Sequence, residues 1–253
     1  MPDAVCCADI LAVGPHPDDV EIGAAATLAK EAAAGRSVVI CDLTAGEMGT
    51  NGTPATRAQE AAAAAVIIGA SRRICLHLPD SRLGQAPQGA DLLAGLIRVI
   101  RPRLVMGPYG EDRHPDHRDG YALVRRAVFL AGLAQHDCEI WEAHPDTAAA
   151  RAMGPWRCGV LFHYLINSPA RPSVLVDVSA HYHTKRRALA AFDSQFGFRA
   201  QAAPTPLNDG IYLPGVEGRD ASFGRDAGVA FAEGFVAERY PCLAQLSDVI
   251  ACR

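Results

Sequence analysis

Short, continuous apolar runs alternate along this chain with longer stretches rich in Ala and Leu. Ile10-Leu11-Ala12-Val13 comes first, and residues 24–34, dominated by Ala, follow it. A run that is apolar at every position reads as a strand buried on both faces, and the alanine-rich stretch reads as a helix. The alternation continues with a second strand at residues 37–43 and a helix at 54–68 that opens on Pro54 and stops at Gly69. A third strand at 74–78, a helix at 92–100, a fourth strand at 104–106 and a helix at 119–134 complete the pattern. It predicts an α/β fold: a Rossmann-like, mostly parallel sheet of the order 3-2-1-4-5 type, with helices on both faces.

The second half is less regular. Residues 136–155 read as a surface excursion. Two further strands are expected at 160–166 and 173–178, then a helix at 182–196 with Lys185, Arg186 and Arg187 on a solvated face. A Pro- and Gly-rich loop covers 197–215, and a final helix is expected from about Glu217 to Arg239. With no internal repeat or low-complexity linker, residues 1–253 read as a single domain.

Composition narrows the class of protein without naming it. A hydrophobic fraction of 49%, a charged fraction of 21% and a net charge of −4 are ordinary for a globular chain and leave no electrostatic footprint for nucleic acid. No apolar run reaches the length of a membrane span, and residues 1–7 have no basic lead, so a cytoplasmic protein is expected. None of the eight cysteines forms a Cys-x-x-Cys pair, which argues against a zinc ribbon or a thioredoxin-type motif.

The chemistry lies at two strand ends. Gly14-Pro15-His16-Pro17-Asp18-Asp19 follows the first strand, and Asp112-Arg113-His114-Pro115-Asp116-His117 follows the fourth. Asp18 or Asp19 could simply cap the helix. Two such clusters at strand ends point instead to a metal, since neutral imidazole and carboxylate oxygen are ordinary ligands of zinc. In a 3-2-1-4-5 sheet, strands one and four are neighbours and flank the ligand crevice. That order would bring His16, Asp19 and His117 to one ion. Asp18, diverging from Asp19, would be free to take a proton from water at the ion. His114 could stabilise an oxyanion or pass a proton to a leaving amine, with Asp116 orienting it. These parts fit metal-assisted amide hydrolysis.

The same residues resemble a known family. His16-Pro17-Asp18-Asp19 with Glu21 and Gly23, the loop Leu43 to Gly49, and His114-Pro115-Asp116-His117 look like the PIG-L/LmbE-like zinc N-deacetylases. Leu78-Pro79-Asp80, Tyr164-Leu165-Ile166-Asn167 and Ala232-Glu233-Gly234-Phe235, among other stretches, are similar to the bacillithiol-biosynthesis branch. The resemblance implies one zinc per chain on His16, Asp19 and His117, with Fe2+ able to occupy a similar site, Asp18 as general base and His114 assisting. It implies N-acetylglucosaminyl malate as substrate, glucosaminyl malate and acetate as products, and a homo-oligomer. Malate carries two carboxylates, so Arg57 and Arg113 are the candidate cations for it. Glu47 and Asn51 are candidate sugar contacts. The branch has a tyrosine directly after the glycine of its Thr-Pro-Leu-x-x-Gly run, and the resemblance implies that it helps bind the oxyanion; here Ile211 follows Gly210, and Tyr212 is the candidate for that role. Two alternatives stay open: another N-acetylglucosamine conjugate, such as an inositol glycoside or a chito-oligosaccharide, and a non-catalytic sugar- or nucleotide-binding module. The first turn lacks Gly-x-Gly-x-x-Gly, which weighs against dinucleotide binding.

Overall fold

The computed structural model describes residues 7–137, 153–197, 202–242 and 244–245. The elements run β1 (Ile10–Gly14), α1 (Asp19–Ala33), β2 (Val38–Thr44), α2 (Pro54–Ile68), β3 (Arg72–Leu78), α3 (Gly89–Ile100), β4 (Leu104–Pro108) and α4 (Pro115–Ala131). After them come β5 (Val160–Tyr164), β6 (Val174–Asp177), α5 (Tyr182–Ala190), α6 (Asp193–Phe196), α7 (Tyr212–Ala227) and β7 (Ala232–Ala237). They build a seven-stranded sheet of order β3-β2-β1-β4-β5-β7-β6. The first five strands in that order are parallel, and β7 runs antiparallel between β5 and β6. The expected 3-2-1-4-5 core is present and is extended by two strands.

Alternation along each strand sends side chains to opposite faces. Leu11 and Val13 of β1, with Val39, Cys41 and Leu43 of β2, pack against α3 and α4. Ile10, Ala12, Val38 and Ile40 pack against α1, α2 and α5 on the other face. Strands covered on both sides must be apolar at every position, which is the pattern the sequence shows.

Three expectations are corrected. The final helix does not run to Arg239: Gly228, at φ 75°, caps α7 after Ala227, and residues 232–237 form β7. The expected helix at 182–196 breaks at Ala191 and Phe192, so α5 and α6 are separate. Lys185 is not on a solvated face; it is fully buried. Its ammonium lies 2.6 Å from Asp220 and 2.8 Å from Glu233. The expected excursion falls largely on residues 138–152, outside the described residues.

This buried cluster also shapes α1. Glu233 accepts from the backbone N–H groups of Ala26 and Thr27 at 3.2 and 2.7 Å, and Arg219 donates to the Ile22 carbonyl at 2.8 Å. Side chains from β7 and α7 thus grip the middle of the helix whose first turn carries Asp19. Against the same segment, Tyr164 lays its ring on Gly23 and donates its hydroxyl to the Val13 carbonyl at 2.8 Å. A Cβ at position 23 would run into that ring.

Removing one member of a buried ion cluster leaves its partners uncompensated. Lys185→Met is expected to cost about 3–5 kcal/mol, read as a fall in the midpoint of chemical denaturation. An unchanged midpoint would show that the cluster contributes no net stability. Gly23→Ala is expected to lose about 1–3 kcal/mol through overpacking against Tyr164, by the same measurement.

Candidate active site

The turn after β1 is built to hold charge in an unusual posture. Thr44, at the end of β2, donates both its N–H and its hydroxyl to the Pro15 carbonyl, each at 3.0 Å. Asp18 precedes α1 with φ 117° and makes no side-chain cap. A non-glycine residue held at such a φ is strained, and strain of this kind gathers at functional sites. The Asp18 carboxylate turns to Arg57 instead, 3.0 Å from its guanidinium, which also donates to the Pro17 carbonyl. Asp19 does not cap either: its Oδ2 accepts from the His16 N–H at 2.9 Å.

Parallel pairing of β1 with β4 brings the second motif alongside the first. Asp19 spans both motifs, with Oδ2 at 3.1 Å from His16 Nδ1 and Oδ1 at 3.2 Å from His117 Nε2. The His114 ring stands 4.9 Å from that of His16 and 4.6 Å from that of His117. The three imidazoles can present ligand atoms within 4.8 Å of one another, and so can His16, Asp80 and Asp116. Asp112 Oδ1 lies 3.1 Å from His117 Nδ1. A carboxylate there accepts a hydrogen bond from Nδ1–H and so leaves Nε2, facing Asp19, as the ligand nitrogen, the usual support for a metal-binding histidine. This donor set fits a divalent cation such as zinc.

Burial alone would lower the pKa of His16, but the hydrogen bonds its ring donates to Asp116, Asp19 and Asp80 outweigh it and hold His16 well above its ordinary value. Burial is likewise overcome at His117, which the Asp19 charge and the Asp112 hydrogen bond push up to about 9. Burial raises Asp18 to about 7 against the opposing pull of Arg57. His114 moves the other way, lowered by burial and by the charges of His16 and His117.

Several expected roles shift. Asp116 does not orient His114; its carboxylate faces His16 Nε2 at 3.3 Å and accepts from the Ser81 N–H at 2.6 Å. His114 is set by the backbone, because its Nδ1 accepts from the Asp116 N–H at 3.2 Å. That bond places the neutral-ring proton on Nε2. Arg57 is buried and committed to Asp18 rather than open to a substrate. Glu47 accepts from the Asp80 N–H at 2.8 Å, and the Asn51 amide pairs with both backbone groups of Ala203. These bonds engage Glu47 Oε1 and both ends of the Asn51 amide, while Glu47 itself is exposed. Arg113 is exposed beside the site, and Tyr212 reaches its wall, with its hydroxyl 3.0 Å from Asn167.

Asp80, Asp112 and Asn167 had no expected role, yet they border the imidazoles. Each follows the carboxyl end of a strand, β3, β4 and β5 in turn. That position is itself the available signal, since open α/β sheets bind ligands there.

Comparisons with known proteins place the chain among N-deacetylases. Residues 11–128 match the profile of the family described as PIG-L, GlcNAc-PI de-N-acetylase. The chain is 30% identical to a diacetylchitobiose deacetylase of Thermococcus kodakarensis over 74% of its own length and 70% of the relative's. It is 28% identical to a 1D-myo-inositol 2-acetamido-2-deoxy-alpha-D-glucopyranoside deacetylase of Catenulispora acidiphila, over 82% of this chain and 86% of that one. Among solved structures, a conserved protein of Thermus thermophilus superposes with a TM-score of 0.78 at 37% identity, covering 95% of this chain and 99% of that one.

His117→Ala is expected to abolish stoichiometric zinc binding, measured by metal analysis after dialysis. Asp112→Asn should weaken it roughly 10–100-fold, as loss of a partner behind a ligand histidine does. Full zinc content in the His117 variant would disprove the ligand set.

Proposed function

The chain belongs to the PIG-L/LmbE-like N-deacetylase family, and from that premise we propose that it hydrolyses the acetamide of an N-acetylglucosamine conjugate, with N-acetylglucosaminyl malate, the substrate that the sequence resemblance implies, as that conjugate. The observation that carries the reading is Asp19 joining His16 and His117 across two strand ends, with Asp18 beside it. A zinc ion, or Fe2+, on those three residues would supply a Lewis acid that acidifies water and polarises the acetyl carbonyl.

The chain's own groups account for the proton traffic. Asp18, fixed by Arg57, is placed to take the proton of the attacking water. His114 offers an Nε2–H donor to the carbonyl oxygen and is placed to hand a proton to the departing amine. Arg113, exposed at the rim, supplies the fork geometry that binds a carboxylate through two parallel hydrogen bonds. With Arg57 occupied by Asp18, recognition of malate falls to Arg113. A phosphate-binding module is disfavoured, because the turn after β1 presents carboxylates where such a module presents backbone N–H groups.

A panel of N-acetylglucosaminyl malate, the inositol glycoside and diacetylchitobiose, assayed for released amine before and after chelation, tests the reading. Turnover fastest on the malate conjugate and lost on chelation is expected; no amine from any of the three would refute it. Asp18→Asn should keep its zinc and lose about 10²–10⁴-fold in kcat. Arg113→Ala should raise KM for the malate conjugate more than for the neutral chitobiose, and equal effects would remove Arg113 from aglycone recognition.

A further inference from the structure

Asn167 lies just past β5 and touches four of the groups around the site. Its backbone N–H donates to Asp112 Oδ2 at 2.9 Å, and its side-chain Nδ2 donates to Asp112 Oδ1 at 3.1 Å. Nδ2 also stands 3.4 Å from His117 Nδ1, and the two share Asp112 Oδ1 as acceptor. On the opposite end, the amide oxygen accepts from the Tyr212 hydroxyl at 3.0 Å and from the Arg113 guanidinium at 3.4 Å.

Chemistry forces this orientation. An ionised carboxylate only accepts and a guanidinium only donates, so the amide NH2 must face Asp112 and the amide oxygen must face Arg113. The phenol then has one way to bond: it donates its proton to Asn167. In that state Tyr212 turns lone pairs, not its proton, toward the open side of the site.

We infer that Asn167 is a positioning residue that holds the Tyr212 proton in reserve and clamps Asp112 against His117. A neutral amide oxygen is a weaker acceptor than an oxyanion. The resemblance already gives Tyr212 the task of binding the oxyanion; what Asn167 adds is a resting partner, from which the phenol would turn to the acetyl oxygen as negative charge builds there. The exchange is favoured only where the charge exists, so it stabilises the transition state more than bound substrate. No covalent bond changes in the exchange; one hydrogen bond is traded for a stronger one. The inference deepens the deacetylase reading and rests on it for the tyrosine, while the clamp on Asp112 stands on the geometry alone.

A double-mutant cycle in the zinc-loaded enzyme, with N-acetylglucosaminyl malate, tests the tyrosine arm. Tyr212→Phe should lower kcat about 10²–10³-fold with little change in KM, as loss of an oxyanion donor does. Asn167→Ala should lower kcat by about tenfold, because the phenol loses the anchor that aims it, and the double variant should match Tyr212→Phe within about twofold, because Asn167 acts on turnover through that phenol. Multiplicative losses, or an Asn167→Ala enzyme with full kcat, would overturn the inference. Release of zinc to a chelator tests the clamp without turnover: Asn167→Ala should release it about tenfold more readily, and Tyr212→Phe should not. Unchanged release overturns the clamp even if the wild-type chain deacetylates nothing on the panel, which is the separate failure of the deacetylase reading. Should Asn167→Ala fail to fold, Asn167→Ser carries both measurements.

Discussion

The pairing of β1 with β4 is the constraint on which the site depends. Ile10, Leu11 and Ala12 lie in register with Leu104, Val105 and Met106, so the two strands leave the sheet side by side. Both are buried on both faces, and a slip of one residue would turn every core side chain to the wrong face. Hydrophobic packing thus fixes the register, and the register fixes the separation of two polar turns. Residues about a hundred positions apart come within hydrogen-bond reach because neither strand can move without losing its core.

Holding so many acids together needs support from below. Asp18 is tied to Arg57, and Glu21 and Asp42 share Arg73 on the edge strand β3. Farther along α1, Lys185 and Arg219 neutralise Asp220 and Glu233. Glu233 and Arg219, of opposite sign, grip the helix backbone itself. Each of these buried charges has a partner, as the cost of an unpaired one requires. A helix gripped at its middle and packed against the Tyr164 ring presents Asp18 and Asp19 from a rigid base. Rigidity of that kind is what a preorganised site demands.

Legibility in the sequence followed the physics. The parallel core could be read because strands buried on both faces are uniformly apolar, and the two motifs because His and Asp cluster at strand ends. The last third resisted. Residues 232–237 carry a glutamate where a core strand should be apolar, and Lys185, itself mistaken for a solvated residue, makes that charge tolerable together with two N–H groups of α1. The pattern of single residues cannot reveal a pair whose members stand 48 positions apart. The supporting side chains stayed hidden for a related reason. Whether Arg57 faces substrate or Asp18, and whether Asp116 serves His114 or His16, depends on distances of a few ångströms that no spacing encodes.

The arrangement also separates chemistry from recognition. His16, Asp18 and Asp19 follow β1, and His114 and His117 follow β4, two strands packed deep in the sheet, so their geometry is inherited from the core. The rim is made of different material. The loop after β2 and the segment before α7 meet through Asn51 and Ala203, and each carries an exposed apolar residue, Met48 and Ile211. Loops on a rigid scaffold accept substitution far more readily than the core does. Tyr212 and Arg113 stand where these two parts join, and Asn167 bonds to both of them. Through the same amide, whose two ends cannot be interchanged, the rim meets Asp112 and with it the support behind His117.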